Sequence, residues 1–270
     1  MRESVVDIAG QKLRLMEEGE GETVLFLHGA GGLNWYPLLQ SLSRHRRVIA
    51  PEHPSWGRSA VPEWLSSVGD LAFFYLDLLE ALDLRGVHLV GHSMGGWTAA
   101  ELAIRSTARL ASLSLMAPAG VAAPDTPFGD IFHWSPEEHT RRSFHDQAFA
   151  EARLRKLSES DPELMRRNRA AAARLGREPL LVNPQLRYWL HRIDVPALLV
   201  WGVEDQICPF AGRRDYLASI AGVELFALPR TGHALHTEGA QAVSDRLDAF
   251  FDAAAGRRYS AAVSDRTDSA

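Results

Sequence analysis

Val87-His88-Leu89-Val90-Gly91-His92-Ser93-Met94-Gly95-Gly96-Trp97-Thr98-Ala99-Ala100-Glu101-Leu102-Ala103 is the stretch whose reading decides the fold. It opens as a short, mainly apolar run of the length of a buried strand and closes as a helix-like segment, with Gly91-His92-Ser93-Met94-Gly95 between them. A chain that reverses sharply at a serine cannot carry bulk on either side of it, which is what the flanking glycines provide. The pentapeptide alone is common. It carries chemistry only if the rest of the chain supplies a base, an acid to orient that base, and hydrogen-bond donors for an oxyanion.

Working outward, similar runs recur at Val24–Leu27, Arg47–Ala50, Leu113–Met116, Ala197–Trp201 and Val223–Ala227. Uninterrupted apolar runs fit strands buried on both faces, and their alternation with helical stretches predicts an α/β fold around a mostly parallel sheet with helices on both faces. Val5–Ile8 and Lys12–Met16 flank Ala9-Gly10-Gln11 and predict an antiparallel hairpin at the start. Leu71, Phe74, Tyr75, Leu78, Leu79 and Leu82 form one helical stripe, and Ala242, Leu247, Phe250 and Phe251 another.

Between about Ala119 and Arg192 the strand rhythm stops. Helical patterns run from Glu137 to Lys156 and from Pro162 to Leu175, with Phe128, Phe132, Trp134, Phe144, Phe149, Tyr188 and Trp189 among them. The expected organisation is a core of residues 1–118 and 193–255, a helical cap of residues 119–192 over the carboxyl ends of the strands, and an unstructured small-polar tail of residues 256–270.

Reactive groups in an open parallel sheet lie beyond the strands' carboxyl ends. His28-Gly29-Ala30-Gly31-Gly32 follows one run, a turn whose backbone N–H groups can face a ligand. Ser93 follows the next, Gly202-Val203-Glu204-Asp205 a third, and Thr231-Gly232-His233 the last. Ser93 is thus the candidate nucleophile, Asp205 the acid and His233 the base. The dull reading of Ser93 is a helix N-cap. His236, His92 and His28 compete with His233. His92 adjoins the serine and points elsewhere, His28 suits a structural hydrogen bond in its turn, and His236 suits the wall. Glu204 competes with Asp205. Cys208 is read as packing.

Ser93, Asp205 and His233 occur in the order that α/β-hydrolases use. With His28–Gly32, Pro54-Ser55-Trp56-Gly57-Arg58-Ser59, Gly202–Asp205 followed by Pro209, and Gly232-His233, the chain resembles the α/β-hydrolase superfamily over about residues 4–252. The resemblance implies an oxyanion hole from the backbone N–H groups of Ala30 and Met94, in a turn that includes Gly29 and Gly31; Trp35, Tyr36 and Trp97, close in sequence to that turn and the elbow, are available to line an apolar acyl pocket. Some relatives place the acid after an earlier strand, but here Leu113–Met116 leads into Ala117-Pro118-Ala119-Gly120, with Asp125 only later.

The expected function is hydrolysis of a small apolar or aromatic ester through an acyl-enzyme. Ser93-Met94-Gly95-Gly96, Leu115–Gly120 and the long cap are also similar to carbon–carbon bond hydrolases of aromatic ring-fission products. Those enzymes carry Asn before the serine, a cap Arg followed by an aromatic ring, and Trp after the histidine. Here the positions hold His92, Arg166-Arg167-Asn168-Arg169 and Ala234, with Arg167 or Arg169 as the candidate ligand of a diketo acid's carboxylate. A binding module with a lapsed triad is the reading from another class, and the intact set argues against it.

The 270 residues are 46% hydrophobic with a net charge of −5 and no long single-sign block, so no nucleic-acid partner is expected. One cysteine excludes an internal disulfide, and neither a signal peptide nor a membrane span is legible, which makes the cytoplasm the expectation. No Cys/His cluster and no G-x-G-x-x-G spacing occur, so neither metal nor cofactor is expected. The partner expected is a small-molecule substrate; a homodimer is left open.

Overall fold

The computed structural model describes residues 1–123 and 125–267. In chain order the elements are β1 (Arg2–Ile8), β2 (Gln11–Glu18), β3 (Thr23–Leu27), α1 (Pro37–Leu42), β4 (Arg47–Pro51), α2 (Val68–Ala81), β5 (Val87–His92), α3 (Met94–Arg105) and β6 (Leu110–Met116). There follow α4 (Pro136–Ser143), α5 (Gln147–Ser158), α6 (Pro162–Gly176), β7 (Ala197–Gly202), α7 (Arg213–Ser219), β8 (Glu224–Leu228), α8 (Leu235–Glu238) and α9 (Ala240–Thr267). The eight strands form one sheet in the order β1-β2-β4-β3-β5-β6-β7-β8. β1 and β2 form the antiparallel hairpin, β2 meets β4 antiparallel, and every pairing from β4 to β8 is parallel.

Each expected strand is present, and the central ones are buried as their apolar runs require, while β1 and β8 at the sheet edges are partly exposed. β5 and β6 are buried at every residue, as central parallel strands covered on both faces must be. α2 begins where Ser67 accepts the Asp70 N–H and the Asp70 carboxylate accepts the Ser66 and Ser67 N–H groups, a reciprocal cap that fixes its first turn. The stripe Leu71, Phe74, Tyr75, Leu78 and Leu79 then faces the core. α2 packs on α3, and α1 on α9.

The segment between β6 and β7 carries α4, α5 and α6. The helical pattern of residues 137–156 is two helices, broken at Phe144-His145-Asp146, where Asp146 caps α5 by accepting the Ala148 N–H. α6 fastens this segment to the sheet: Asn168 donates to the Gly31 carbonyl at 3.1 Å and accepts the Gly57 N–H at 2.8 Å. Asn183 reaches the buried Glu101 in α3 at 2.7 Å, beside the indole N–H of Trp97.

The chain end departs from the expected tail. α9 runs on to Thr267, with Ala261 and Ala262 among good helix formers and no proline or glycine after Gly256 to stop it. Residues 268–270 of the expected tail lie outside the described residues. Among the described residues no helix is long and apolar enough to cross a membrane.

Candidate active site

Ser93 occupies the step from β5 to α3 with φ 56° and ψ −118°, a conformation that L-residues avoid. Its side chain makes no capping hydrogen bond to the helix, which removes the N-cap reading. The main chain holds the strained turn from both sides. Ser93 N–H donates to the Met116 carbonyl at 2.9 Å, and its carbonyl accepts from Trp97 and Ala119, each at 3.0 Å. Gly95 is required by close approach: a Cβ there would sit 2.0 Å from the Leu27 carbonyl oxygen and 2.5 Å from that of His28. Gly91 is required likewise, its Cβ direction meeting the Gly95 carbonyl at 2.3 Å.

Beyond β8, His233 donates from Nδ1 to Asp205 Oδ2 at 2.7 Å. The other carboxylate oxygen of Asp205 accepts the backbone N–H groups of Ile207 at 2.8 Å and Cys208 at 2.9 Å, so the acid is locked before it meets the ring. Both residues are buried. The rivals are engaged elsewhere. Glu204 accepts the Thr231 N–H at 3.0 Å, bracing the histidine loop rather than the imidazole, and Asp125 is exposed beside Thr126. His92 donates from Nε2 to the His233 carbonyl at 2.9 Å, fixing that loop from below. His236 is buried between Tyr36 and His92. Burial and the Asp205 charge raise the Cys208 thiol well above its usual pKa against an opposing hydrogen bond with Ser93, so this sulfur stays a packing group.

The glycine-rich turn after β3 is held by a chain of neutral histidines that the sequence did not disclose as one unit. His53, two residues beyond β4, donates from Nε2 to the His28 carbonyl at 2.8 Å, and its own N–H donates to His28 Nε2 at 3.0 Å. Tyr75 of α2 donates its hydroxyl to His53 Nδ1 at 2.5 Å. His28 therefore carries its proton on Nδ1 and gives it to the Gly29 carbonyl at 2.7 Å, which also accepts the Gly32 N–H. Because a trans peptide sets C=O and N–H on opposite sides, fixing the Gly29 carbonyl fixes the Ala30 N–H pointing the other way. Gly29 packs directly on the elbow, its Cβ direction 3.2 Å from Ser93 Cβ. Met94 is the first residue of α3, so its N–H has no partner within the helix. Both N–H groups can serve an oxyanion.

The structure sorts the remaining pocket candidates. Gly31 is exposed, with its carbonyl taken by Asn168. Trp35 is half-buried with its indole nitrogen shielded and unpartnered. Trp97, expected to line the pocket, instead packs under the inserted helices, 4% exposed, against Gly120 and Gly176 with its N–H on Glu101. Arg167 and Arg169 are likewise committed. The first binds the Gly57 and Ser59 carbonyls, the second those of Phe132 and Trp134, so each guanidinium is held in part by main-chain carbonyls.

The buried imidazoles make the fold acid-sensitive. Burial lowers the pKa of His28 and His92 well below the ordinary value, that of His53 to about 4, and that of His236 to about 3 with the neighbouring His233 adding to the effect. Once unfolded, these rings titrate near 6.5, so between about pH 6.5 and 4 the unfolded chain binds protons that the folded chain does not. Stability is therefore complete above pH 6.5 and falls as pH drops through that window, His53 alone accounting for on the order of 3 kcal/mol. Urea unfolding from pH 7.5 to 4.5 checks this; a flat profile would contradict the burial of neutral imidazoles.

A largely parallel sheet with a strained serine elbow and a histidine–carboxylate pair beyond later strands defines a protein of the hydrolase type. The chain belongs to the Alpha/beta hydrolase family, whose model matches residues 24–246. It is 33% identical over 255 residues to the dihydrolipoyllysine-residue acetyltransferase component of the acetoin cleaving system of Pseudomonas putida, covering 90% of this chain. The chain spans about two thirds of the length of the acetoin-system relatives it matches, 68% of one and 62% of another. It is 26% identical over 248 residues to the 2-hydroxy-6-oxo-6-(2'-aminophenyl)hexa-2,4-dienoic acid hydrolase of Metapseudomonas resinovorans, covering 86% of this chain and 84% of that one. A meta-cleavage product hydrolase from Pseudomonas fluorescens superposes with a TM-score of 0.78 at 23% identity, covering 93% and 98% of the two chains, a likeness of fold.

Proposed function

We propose that this protein is a serine hydrolase that transfers an acyl group from a small apolar or aromatic ester to water through Ser93. The observation that carries the reading is the elbow: a serine held at φ 56° with an uncapped hydroxyl, where a relaxed structural serine would adopt an extended cap. Ser93 Oγ attacks the acyl carbon while His233 Nε2 takes its proton, and Asp205 holds Nδ1–H so that Nε2 is the free acceptor. The Ala30 and Met94 N–H groups receive the developing oxyanion. His233 then protonates the leaving group, and water repeats the sequence on the acyl-enzyme. Trp35 and Tyr36 beside the oxyanion turn favour an apolar acyl group.

A second reading, hydrolysis of a carbon–carbon bond in a vinylogous diketo acid, is favoured by the likeness to relatives such as the dienoic acid hydrolase. It needs a cation for the substrate carboxylate. With Arg167 and Arg169 partly held by main-chain carbonyls, Arg153 of α5 is a further candidate, its charge bearing on His236 and Tyr36 after the larger effect of burial. Fluorophosphonate labelling followed by a panel of aryl esters and one such diketo acid tests both readings. Labelling at Ser93 with esters as the better substrates is expected. Preferential turnover of the diketo acid, with Arg153→Gln raising KM for it alone, would replace the ester reading by the second. Folded protein that does not label would leave a binding module.

A further inference from the structure

The break between α4 and α5 falls where the inserted helices meet the loop that carries His233. The first layer of contact is main chain: the Ala234 N–H donates to the Ser143 carbonyl at 2.8 Å. Gly232 lies so close beneath the turn that a Cβ would stand 2.7 Å from the Ser143 oxygen and 2.9 Å from the His145 nitrogen. Phe144, Ala150 and Ala234 close a small buried cluster of their own beside it.

The second layer is one carboxylate. Glu238, at the end of α8, accepts the Gly232 N–H at 2.7 Å and the His145 N–H at 3.2 Å on Oε2, and the Asp146 N–H at 2.5 Å on Oε1. Three N–H groups, one from the histidine loop and two from the turn of the inserted helices, converge on a single side chain. Hydrogen bonds to an ionised acceptor are roughly twice as strong as neutral ones, and three donors engage both oxygens of the one carboxylate. With Glu204 on Thr231, both residues before His233 have their amides on carboxylates from different parts of the chain.

We propose that Glu238 is a positioning residue for His233, locking the α4–α5 turn onto the histidine loop so that the seat of the inserted helices and the aim of the imidazole are set together. The inference rests on the reading of His233 as the base toward Ser93. A glutamine at 238 offers one oxygen to three donors and turns an NH₂ group toward at least one of them. An aspartate keeps the charge but falls short by one methylene. Either change loosens the loop at Gly232 without touching substrate.

The test is active-site titration with a fluorophosphonate, paired with steady-state ester hydrolysis, on the wild type, Glu238→Gln and Glu238→Asp. The stoichiometry of labelling counts folded sites, and the rate constant reports how well His233 activates Ser93. Expected for Glu238→Gln is full stoichiometry with a labelling rate and kcat lower by roughly 10- to 100-fold, KM staying within about twofold, as a misplaced catalytic group gives. Glu238→Asp should fall between it and the wild type. Reduced stoichiometry with a wild-type rate at the remaining sites would make Glu238 a purely structural residue and overturn the proposal, as would wild-type rates in both variants. A wild type that does not label at all defeats the serine reading itself, and the role of Glu238 falls with it.

Discussion

Ser93→Ala is expected to reduce turnover by on the order of 10⁶, to the background of the binding site and oxyanion donors, while leaving the protein folded. Little is lost structurally because the hydroxyl makes no helix cap, a thiol such as Cys208 is a weak hydrogen-bond partner for it, and the main-chain bonds to Met116, Trp97 and Ala119 remain. The strained backbone also remains, since alanine tolerates φ 56° no better than serine. Ser93→Gly should therefore be equally inactive but more stable than Ser93→Ala, with a strain of roughly 1–3 kcal/mol released against a glycine entropy cost of about 0.5–1 kcal/mol. Turnover of an aryl ester and urea midpoints of the three proteins measure both effects. Retained activity in Ser93→Ala would remove the nucleophile from the mechanism.

Asp205→Asn is expected to lower kcat by about 10⁴ with KM little changed. The geometry gives the reason. Two backbone N–H groups, of Ile207 and Cys208, meet one carboxylate oxygen, and in asparagine only the amide oxygen can sit there. The NH₂ group must then face His233 Nδ1, which becomes an acceptor, and the ring carries its proton on Nε2, the nitrogen that has to receive the serine proton. The pH dependence of kcat, together with the imidazole N–H resonance pattern, reports the tautomer. A nearly silent Asp205→Asn would send the search back to Glu204, whose carboxylate would then have to leave the Thr231 N–H.

A strand buried on both faces must be apolar throughout, a helix against a sheet must repeat at its own period, and a reversal as tight as Gly91–Gly95 must be glycine-lined. These are local requirements, and the central strands, the stripe of α2 and the candidate serine, acid and base beyond their strand ends are legible for that reason. His53 stands three residues beyond the run Arg47–Ala50, where the strand-end rule applies without naming it, and Tyr75 reads as one more core ring. Their shared task appears only when β4, β3 and α2 lie side by side. Trp97, Arg167 and Arg169 were assigned to substrate by type, but a guanidinium or indole N–H binds whichever acceptor the fold brings near, and here those are Glu101 and main-chain carbonyls.

By itself, then, the sequence determined the sheet, its order of chemistry along the chain and the identity of Ser93, Asp205 and His233 as candidates, because backbone sterics and burial act through neighbours in sequence. Tertiary structure alone decided which oxygen of Asp205 faces the imidazole, that Ser93 is strained and uncapped, that the long helical pattern breaks over the histidine loop, and that Glu238 gathers three N–H groups there. The partners of a polar group are fixed by distance in space, and residues as far apart in sequence as Asp146 and His145 are from Glu238, 92 and 93 positions, carry no mark of one another in the chain.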